Sequence, residues 1–447
     1  MRFFLSLCCL FFLTASITAQ PTKHLVLVSI DGLRPEFYLD ERYPAPNLQY
    51  MAKHGLAARQ VQGVFPSVTY PNHTTIITGV RPAQHGIFYN TPFEPEGQTG
   101  RWYWEEAGIR TRTLWDAAQD ADLLTANLFW PVSVGAPVSY NLPEVWPLDR
   151  EEELWAYVGE RTQPEGFLQE LEREASGTLN QQTFNIDYLN REARTGFMAA
   201  YLIENKKPNF LTMHLIGTDH FQHAEGREGL QVRKAVAAVD YAIGQMWEAA
   251  ERAGILDSTT FIITGDHGFA DIHTRLAPNV WLEKAGLLED QTDRGDWKAA
   301  FHTTGASAFL HLRDPEDQGT VQEVKALLAK LPERQRKLFE VLDRDELDRL
   351  GAASEAALAL NPVEGVHFTA RTGVPEVSAA NGGTHGNVPD FRNMHTGLVG
   401  YGAGLARQKR VPRMQLTDIA PLIAHLLGLE LEETHGVLYP GLLEEER

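Results

Sequence analysis

Seven side chains in this sequence are of the kinds that hold divalent transition metals or attack phosphorus, and a folded chain can bring them together. Asp219 and His223 stand four apart, Asp266 and His267 are neighbours, Asp31 and His385 lie far away on either side, and Thr69 adds a hydroxyl. Imidazole and carboxylate suit an ion of intermediate softness, and two such ions about 4 Å apart can share a phosphoryl oxygen. In that arrangement Asp219, His223 and His385 would close on one ion. Asp31, Asp266, His267 and the Thr69 oxygen would hold the other. A free threonine hydroxyl is almost never ionised near neutral pH, so metal coordination, with smaller help from a helix N-terminus, is what would make it a nucleophile and yield a phosphothreonine.

Three apolar stretches must position these groups: residues 24–31, 210–219 and 260–268 each read as a buried strand that runs out at an acidic residue. In an open α/β sheet ligands gather at the carboxyl ends of strands, so carboxylates distant in sequence meet there. Thr69-Tyr-Pro71 reads as a helix start, with Thr69 as N-cap and a proline in the first turn. Further helices are expected at 45–54, 188–204, 232–252 and 418–427, the last capped by Asp418 and stopped by Gly428, with strands near 58–64 and 396–401. Residues 90–180, rich in Trp, Pro, Gly and Glu, read as irregular connections with short helices that form a substrate-facing wall. The stretch from His267 to His385 is too long for a plain loop, so a small α+β insertion is expected at about 310–375. Within it, helical character at 320–330 and 345–358 and strands at 309–312 and 338–342 are expected.

A 447-residue chain that is 43% hydrophobic and 22% charged has a core-forming makeup. Met1-Arg2, the apolar run Phe3 to Leu13 and the small residues up to Ala19 have the form of a secretory signal covering residues 1–19, with a mature domain from 20 to 447. That run is too short to span a bilayer, and no later segment is long and apolar enough. Both cysteines, Cys8 and Cys9, fall inside the signal, so a mature chain carries no disulfide. A periplasmic or secreted protein without a membrane span is expected. The formal charge of −19 argues against a nucleic-acid groove, and anionic substrates then depend on local positive charge such as bound metal. Nothing in the sequence bears on the oligomeric state.

The motifs carry a resemblance. Phe65-Pro-Ser-Val-Thr69-Tyr-Pro-Asn-His73-Thr-Thr-Ile-Ile-Thr78-Gly79 and His85-Gly-Ile-Phe-Tyr-Asn90, followed by Phe129-Trp130-Pro131, Asp219-x-x-x-His223, Gly265-Asp-His-Gly268, Gly383-Thr-His-Gly386 and Asp418-Ile-Ala-Pro421, resemble the nucleotide pyrophosphatase/phosphodiesterase family of the alkaline phosphatase superfamily. The resemblance implies an α/β fold with a central, mostly parallel sheet between helices, and a small nucleotide or other phosphodiester as substrate. It implies two zinc ions, on Asp219, His223 and His385 and on Asp31, Asp266, His267 and Thr69, and it implies Asn90 as an amide donor to a phosphoryl oxygen. Two departures are visible: His220-Phe-Gln before His223 and Ala-Glu after it, where the family usually has Gly and Gly-Pro, and Val132 where it often has glycine.

Singly, each of these residues has an ordinary reading as a turn, a cap or a core residue; jointly they do not. Tyr70 and Trp130, with Tyr140 and Trp146, are candidates to stack a flat group of the substrate. His73 and His85 read as structural or supporting, and His214 as a satisfied core histidine. The competing enzyme readings are a phosphomonoesterase and a phosphonate hydrolase of the same superfamily; outside enzymes, the alternative is a non-catalytic binding protein.

Overall fold

The run Leu25-Val-Leu-Val28 offers nothing polar to solvent, as befits a strand covered on both faces. In the computed structural model, which describes residues 22–149, 152–289, 295–431 and 434–444, it forms β1 (His24–Ile30). The expected signal segment lies outside the described residues. β1 sits inside a sheet that has nine strands among the described residues. With β2 (Leu56–Gln62), β3 (Thr125–Leu128), β4 (Tyr140–Leu142), β5 (Phe210–Leu215), β6 (Thr259–Thr264), β7 (Thr396–Gly402) and β8 (Lys409–Val411), the order is β8-β2-β7-β6-β1-β5-β3-β4. A short strand, Met414–Gln415, also pairs with β2. Every pairing is parallel except those of β7, which runs against both β2 and β6.

Alternation along β1 splits the interior into two cores. Val26, Val28 and Ile30 pack into one, with α1 (Pro46–His54), α3 (Tyr188–Asn205) and α5 (Leu230–Arg252); Leu25 and Leu27 pack into the other, with α2 (Thr69–Thr78) and α6 (Ile419–Leu427). α4 (Gly217–Glu225) follows β5 directly. β1 pairs with β5 up to Ile30↔Leu215 and with β6 up to Ser29↔Thr264, so the three segments that leave these strands start side by side. This register, rather than proximity in sequence, brings Asp31, Asp219 and Asp266 to one place. No helix among the described residues is long and apolar enough to cross a membrane.

Residues 90–180 hold more regular structure than their composition suggests. β3 and β4 extend the central sheet, and the helix Leu114–Asp120 begins with a reciprocal capping box between Thr113 and Asp116. A second, antiparallel sheet is built from Ala299–Thr304, Ser307–Leu312, Phe339–Leu342 and Leu358–Pro362, so it begins ahead of residue 310. The expected helix at 345–358 is shorter: it covers Arg344–Leu350, ends at Gly351 with φ of 63°, and the chain then turns into the Leu358–Pro362 strand.

α2 corrects one detail of the capping argument. Thr69 is its first helical residue and the N-cap is Val68, with no side-chain cap bond, so the Thr69 hydroxyl is not used as a cap. Asp418 likewise does not cap α6 with its side chain, accepting instead from the backbone N–H groups of Gln415 at 2.8 Å and Val437 at 2.9 Å.

Candidate metal centre and active site

Thr69 is placed by its neighbour Asn72. The buried Asn72 amide accepts from Val64 N–H at 2.9 Å and donates to Pro66 O at 3.1 Å and Val68 O at 2.8 Å, fastening the preceding loop onto α2. Removing the buried amide strips the Val64 N–H of its acceptor and takes one of two donors from Pro66 O and Val68 O, so Asn72→Ala is expected to cost about 1–3 kcal/mol of stability. Urea denaturation at equal metal content checks this, and an unchanged midpoint would show that the loop is held by something else.

The turn after β1 does the same for the acids. Gly32, at φ of 67° with a Cβ position only 2.9 Å from Gln222 Nε2, donates its N–H to Asp266 Oδ1 at 3.1 Å. Asp31 Oδ2 faces His214 Nε2 at 3.1 Å. Each carboxylate therefore has one oxygen held from outside and one turned inward. His267 Nε2 lies 3.3 Å from Asp31 Oδ1 and 3.0 Å from Asp266 Oδ2; Asp219 Oδ1 lies 3.4 Å from His223 Nε2 and 3.6 Å from His385 Nε2. The rings of His267 and His385 stack at 3.5 Å between centroids. Donor atoms of Asp31, Asp266 and His267, and of Asp219, His267 and His385, fall within 4.8 Å of one another, so His267 lies between the two groups. His223 stands at the rim.

The tautomers follow from the partners. His223, His267 and His385 each have Nδ1 on a backbone carbonyl, of Gly383 at 3.0 Å, Gly268 at 3.0 Å and Ser67 at 2.8 Å. A carbonyl only accepts, so Nδ1 carries the proton and Nε2 of a neutral ring presents a lone pair to the carboxylates. The buried atoms Asp31 Oδ1, Asp219 Oδ1, Asp266 Oδ2 and His267 Nε2 have no hydrogen-bond partner. Acceptors facing acceptors in a buried site repel, and a divalent cation is the group that this donor set fits.

Electrostatics agree. Burial lowers His385, and its neighbours His267 and His223 add to the effect, keeping it a neutral ligand. Burial lifts the Asp219 carboxyl well above the usual range, reinforced by Asp31 and Asp266, a crowding that a cation relieves. Burial opposes protonation of His267, yet Asp266 and Asp31 pull it well above its ordinary value, and the same carboxylates would favour a cation in the proton's place. For Asp31 burial is outweighed by His214 and His267, which hold it well below the carboxylate range.

His214 is satisfied as expected, but by the site itself. It bridges Asp31 and Glu144, whose Oε2 is 3.0 Å from His214 Nδ1, and against the cost of burial these carboxylates raise it to about 10, the protonated ring that donates to both. Glu144 Oε1 also accepts from the Tyr70 hydroxyl at 3.0 Å. Glu144 was not foreseen, though a lone histidine inside the apolar strand Phe210-Leu-Thr-Met-His-Leu215 signals a buried partner. His73 donates Nδ1 to Thr69 O at 2.8 Å inside α2, and His85 pairs with Thr75 Oγ1 at 3.2 Å.

A cavity of about 480 Å³ opens onto these groups and is lined by Asp31, Thr69, Tyr70, Asn90, Asp219, His223 and His385 among others. Thr69 is only 8% exposed, and the cavity is where that exposure lies. Asn90 Oδ1 accepts from Tyr70 N–H at 2.9 Å, which leaves the NH₂ end of its amide as the donor for a ligand. Tyr70 and Trp146 line the cavity, joined by Trp102, Phe129, Trp155 and Phe184. Trp130 does not: it is fully buried, edge-on to His73 at 5.0 Å, and stacking a substrate is not open to it. Tyr140 packs on Phe167 instead. Val132 has φ of 56°, a left-handed position where a β-branched residue is strained and glycine would be at ease. Buried hydrogen bonds among Asn127, Ser133 and Asn141 hold that turn in place.

A family model described as type I phosphodiesterase / nucleotide pyrophosphatase matches residues 25–387, a span that contains all seven candidate residues. The chain belongs to this family. Among curated relatives, ectonucleotide pyrophosphatase/phosphodiesterase family member 7 of Rattus norvegicus is 24% identical over 97% of this chain and 90% of its own length. Venom phosphodiesterase of Naja atra is 23% identical over 92% of this chain but only 45% of its own. Murine ectonucleotide pyrophosphatase / phosphodiesterase 5, solved as an inactive threonine-to-alanine variant in complex with AMP, superposes with a TM-score of 0.67 at 19% identity. It covers 95% of this chain, and all of it is covered. The alkaline phosphatase-like α/β architecture expected from the sequence is therefore present. The chain is a member of a hydrolase family that is generally metal-dependent.

Proposed function

We propose that this protein is an exported two-zinc phosphodiesterase or nucleotide pyrophosphatase that works through a phosphothreonine on Thr69. The observation that carries this reading is the group of inward, unpartnered donor atoms of Asp31, Asp219, Asp266 and His267, of which Asp31 and Asp219 line one cavity with Thr69. Asp219, His223 and His385 would hold one ion and Asp31, Asp266, His267 and Thr69 the other. When bound, the metal ions lower the pKa of the Thr69 hydroxyl and offset the charge of the phosphoryl group. Thr69 Oγ, its proton given up to solvent, forms a bond to phosphorus as the bond from phosphorus to the leaving oxygen breaks, the leaving oxygen taking up a proton from solvent; water then displaces Thr69 Oγ, one proton of that water going to solvent as Thr69 Oγ regains one. Asn90 donates its amide N–H to a non-bridging oxygen and stabilises the charge that develops there. The murine relative bound to AMP supports a small nucleotide substrate here, and a signal at residues 1–19 would place the protein in the periplasm or outside the cell.

Diesters should be favoured over monoesters. Arg191 is the one arginine in the cavity lining among the described residues, and its guanidinium lies over Phe184 at 4.8 Å. Arg101 pairs with Glu105 and Arg112 with Asp120, Arg110 lies over Phe88, and Arg150 falls outside the described residues. The extra charge of a monoester thus meets little compensation, while the aromatic wall offers surface to a second ester group. For aryl esters sharing a leaving group, the diester is expected to have about a hundredfold higher kcat/KM, about 3 kcal/mol of differential transition-state binding. A monoester rate equal to or above the diester rate would overturn this reading of the substrate.

A further inference from the structure

A second cavity, of about 490 Å³, shares no lining residue with the first. In a chain of net charge −19 its wall is unusual: Arg34, Arg59, Arg227, Arg392 and Arg410 all line it, with His395. The carboxylates that also reach it are engaged, Asp40 by Arg42 at 2.9 Å and Glu36 by Arg227 at 3.5 Å. Arg34 is 1% exposed and held by Tyr43 and Glu228, yet its Nε has no partner; neither has the buried Nδ1 of His395. The side chains of Arg59 and Arg392 have no hydrogen bond or ion pair among the described residues. Arg34 and Arg227 each have a carboxylate partner, but Arg59 and Arg392 add positive charge to the same hollow with none among the described residues, and their planar donor forks match the oxygens of phosphate.

We propose that this cavity is an anion site, separate from the reaction centre, for a phosphate group. Its volume has room for inorganic phosphate and for the phosphate end of a nucleotide, two sources of the same chemistry. Its walls are tied to the segments that carry the metal donors. Arg34 lies three residues beyond Asp31, Arg227 donates to Phe269 O, and Met394, between Asn393 and His395, accepts the Gly268 N–H at 2.9 Å.

The test is calorimetric titration of the metal-loaded full chain with inorganic phosphate and, separately, with AMP. The wild type should show one binding event more than R59E/R392E with at least one of the two anions, and R59Q/R392Q should weaken that event about tenfold. Neither arginine touches the reaction centre, so diester turnover without added anion should be unchanged in both variants. Phosphate alone giving the extra event assigns the site to the free ion; AMP giving it as well assigns it to phosphomonoesters. Variants that titrate like the wild type with both anions, or a wild type with no arginine-dependent event, would overturn the assignment. Because the readout is binding at Arg59 and Arg392, it stands or falls apart from hydrolysis at Thr69.

Discussion

Replacing Thr69 by alanine is expected to leave a folded protein that turns over a phosphodiester at least about a thousandfold more slowly, roughly 4 kcal/mol of barrier. The fold should survive because the hydroxyl makes no cap bond and Val68 already occupies the N-cap position. The loss should be large because the other hydroxyl at the start of α2, that of Tyr70, is spent on Glu144, whereas Thr69 lines the cavity together with Asp31 and Asp219. Steady-state kinetics should be paired with thermal melting and with acid quenching during turnover, which traps a phosphorylated threonine in the wild type and none in the variant. Turnover close to wild type would transfer the nucleophile's role to a water molecule.

Stripping the protein of divalent metal should abolish turnover, and zinc should restore it. Elemental analysis of the untreated protein should find close to two equivalents. The stripped protein should also melt at a lower temperature, because a ligand bound only by the folded state at a hundred times its Kd contributes about 2.7 kcal/mol. Asp266→Ala should give the same loss without recovery, since it removes a donor and the acceptor of the Gly32 N–H together. Full activity after chelation, or calcium or magnesium as the sole metal, would sink the zinc assignment.

The donors could be read ahead of the fold because parallel strands buried on both faces leave long apolar runs, and an acid ending such a run is conspicuous. β1 and β6 are of that kind, followed within two residues by Asp31 and Asp266, whereas β5 stops at Leu215 and Asp219, expected at a strand end, is the third residue of α4. β3 and β4, at four and three residues, are too short to show any period, and so the wall they support read as irregular. Trp130 and Trp102 look alike in sequence; which of them faces the cavity depends on the strained turn at Val132 and on packing against His73, neither of which has a local signature. Glu144 acquires its part only through His214 and Tyr70, contacts made across the sheet.

The antiparallel strand β7 has a consequence for biosynthesis. It is wedged between β2 and β6, and its Gly397 carbonyl receives bonds from Gly265 N–H at 3.3 Å and Thr264 Oγ1 at 2.9 Å, just ahead of Asp266. All seven donor positions precede it in the chain, so a nascent polypeptide has made every ligand before the segment that props up their platform exists. Such long-range closure is slow and comes late in folding. The arrangement of these seven side chains is therefore expected to mature only after residues 396–402 have emerged, and a polypeptide cut short ahead of Thr396 carries all seven on a sheet that lacks the strand between β2 and β6.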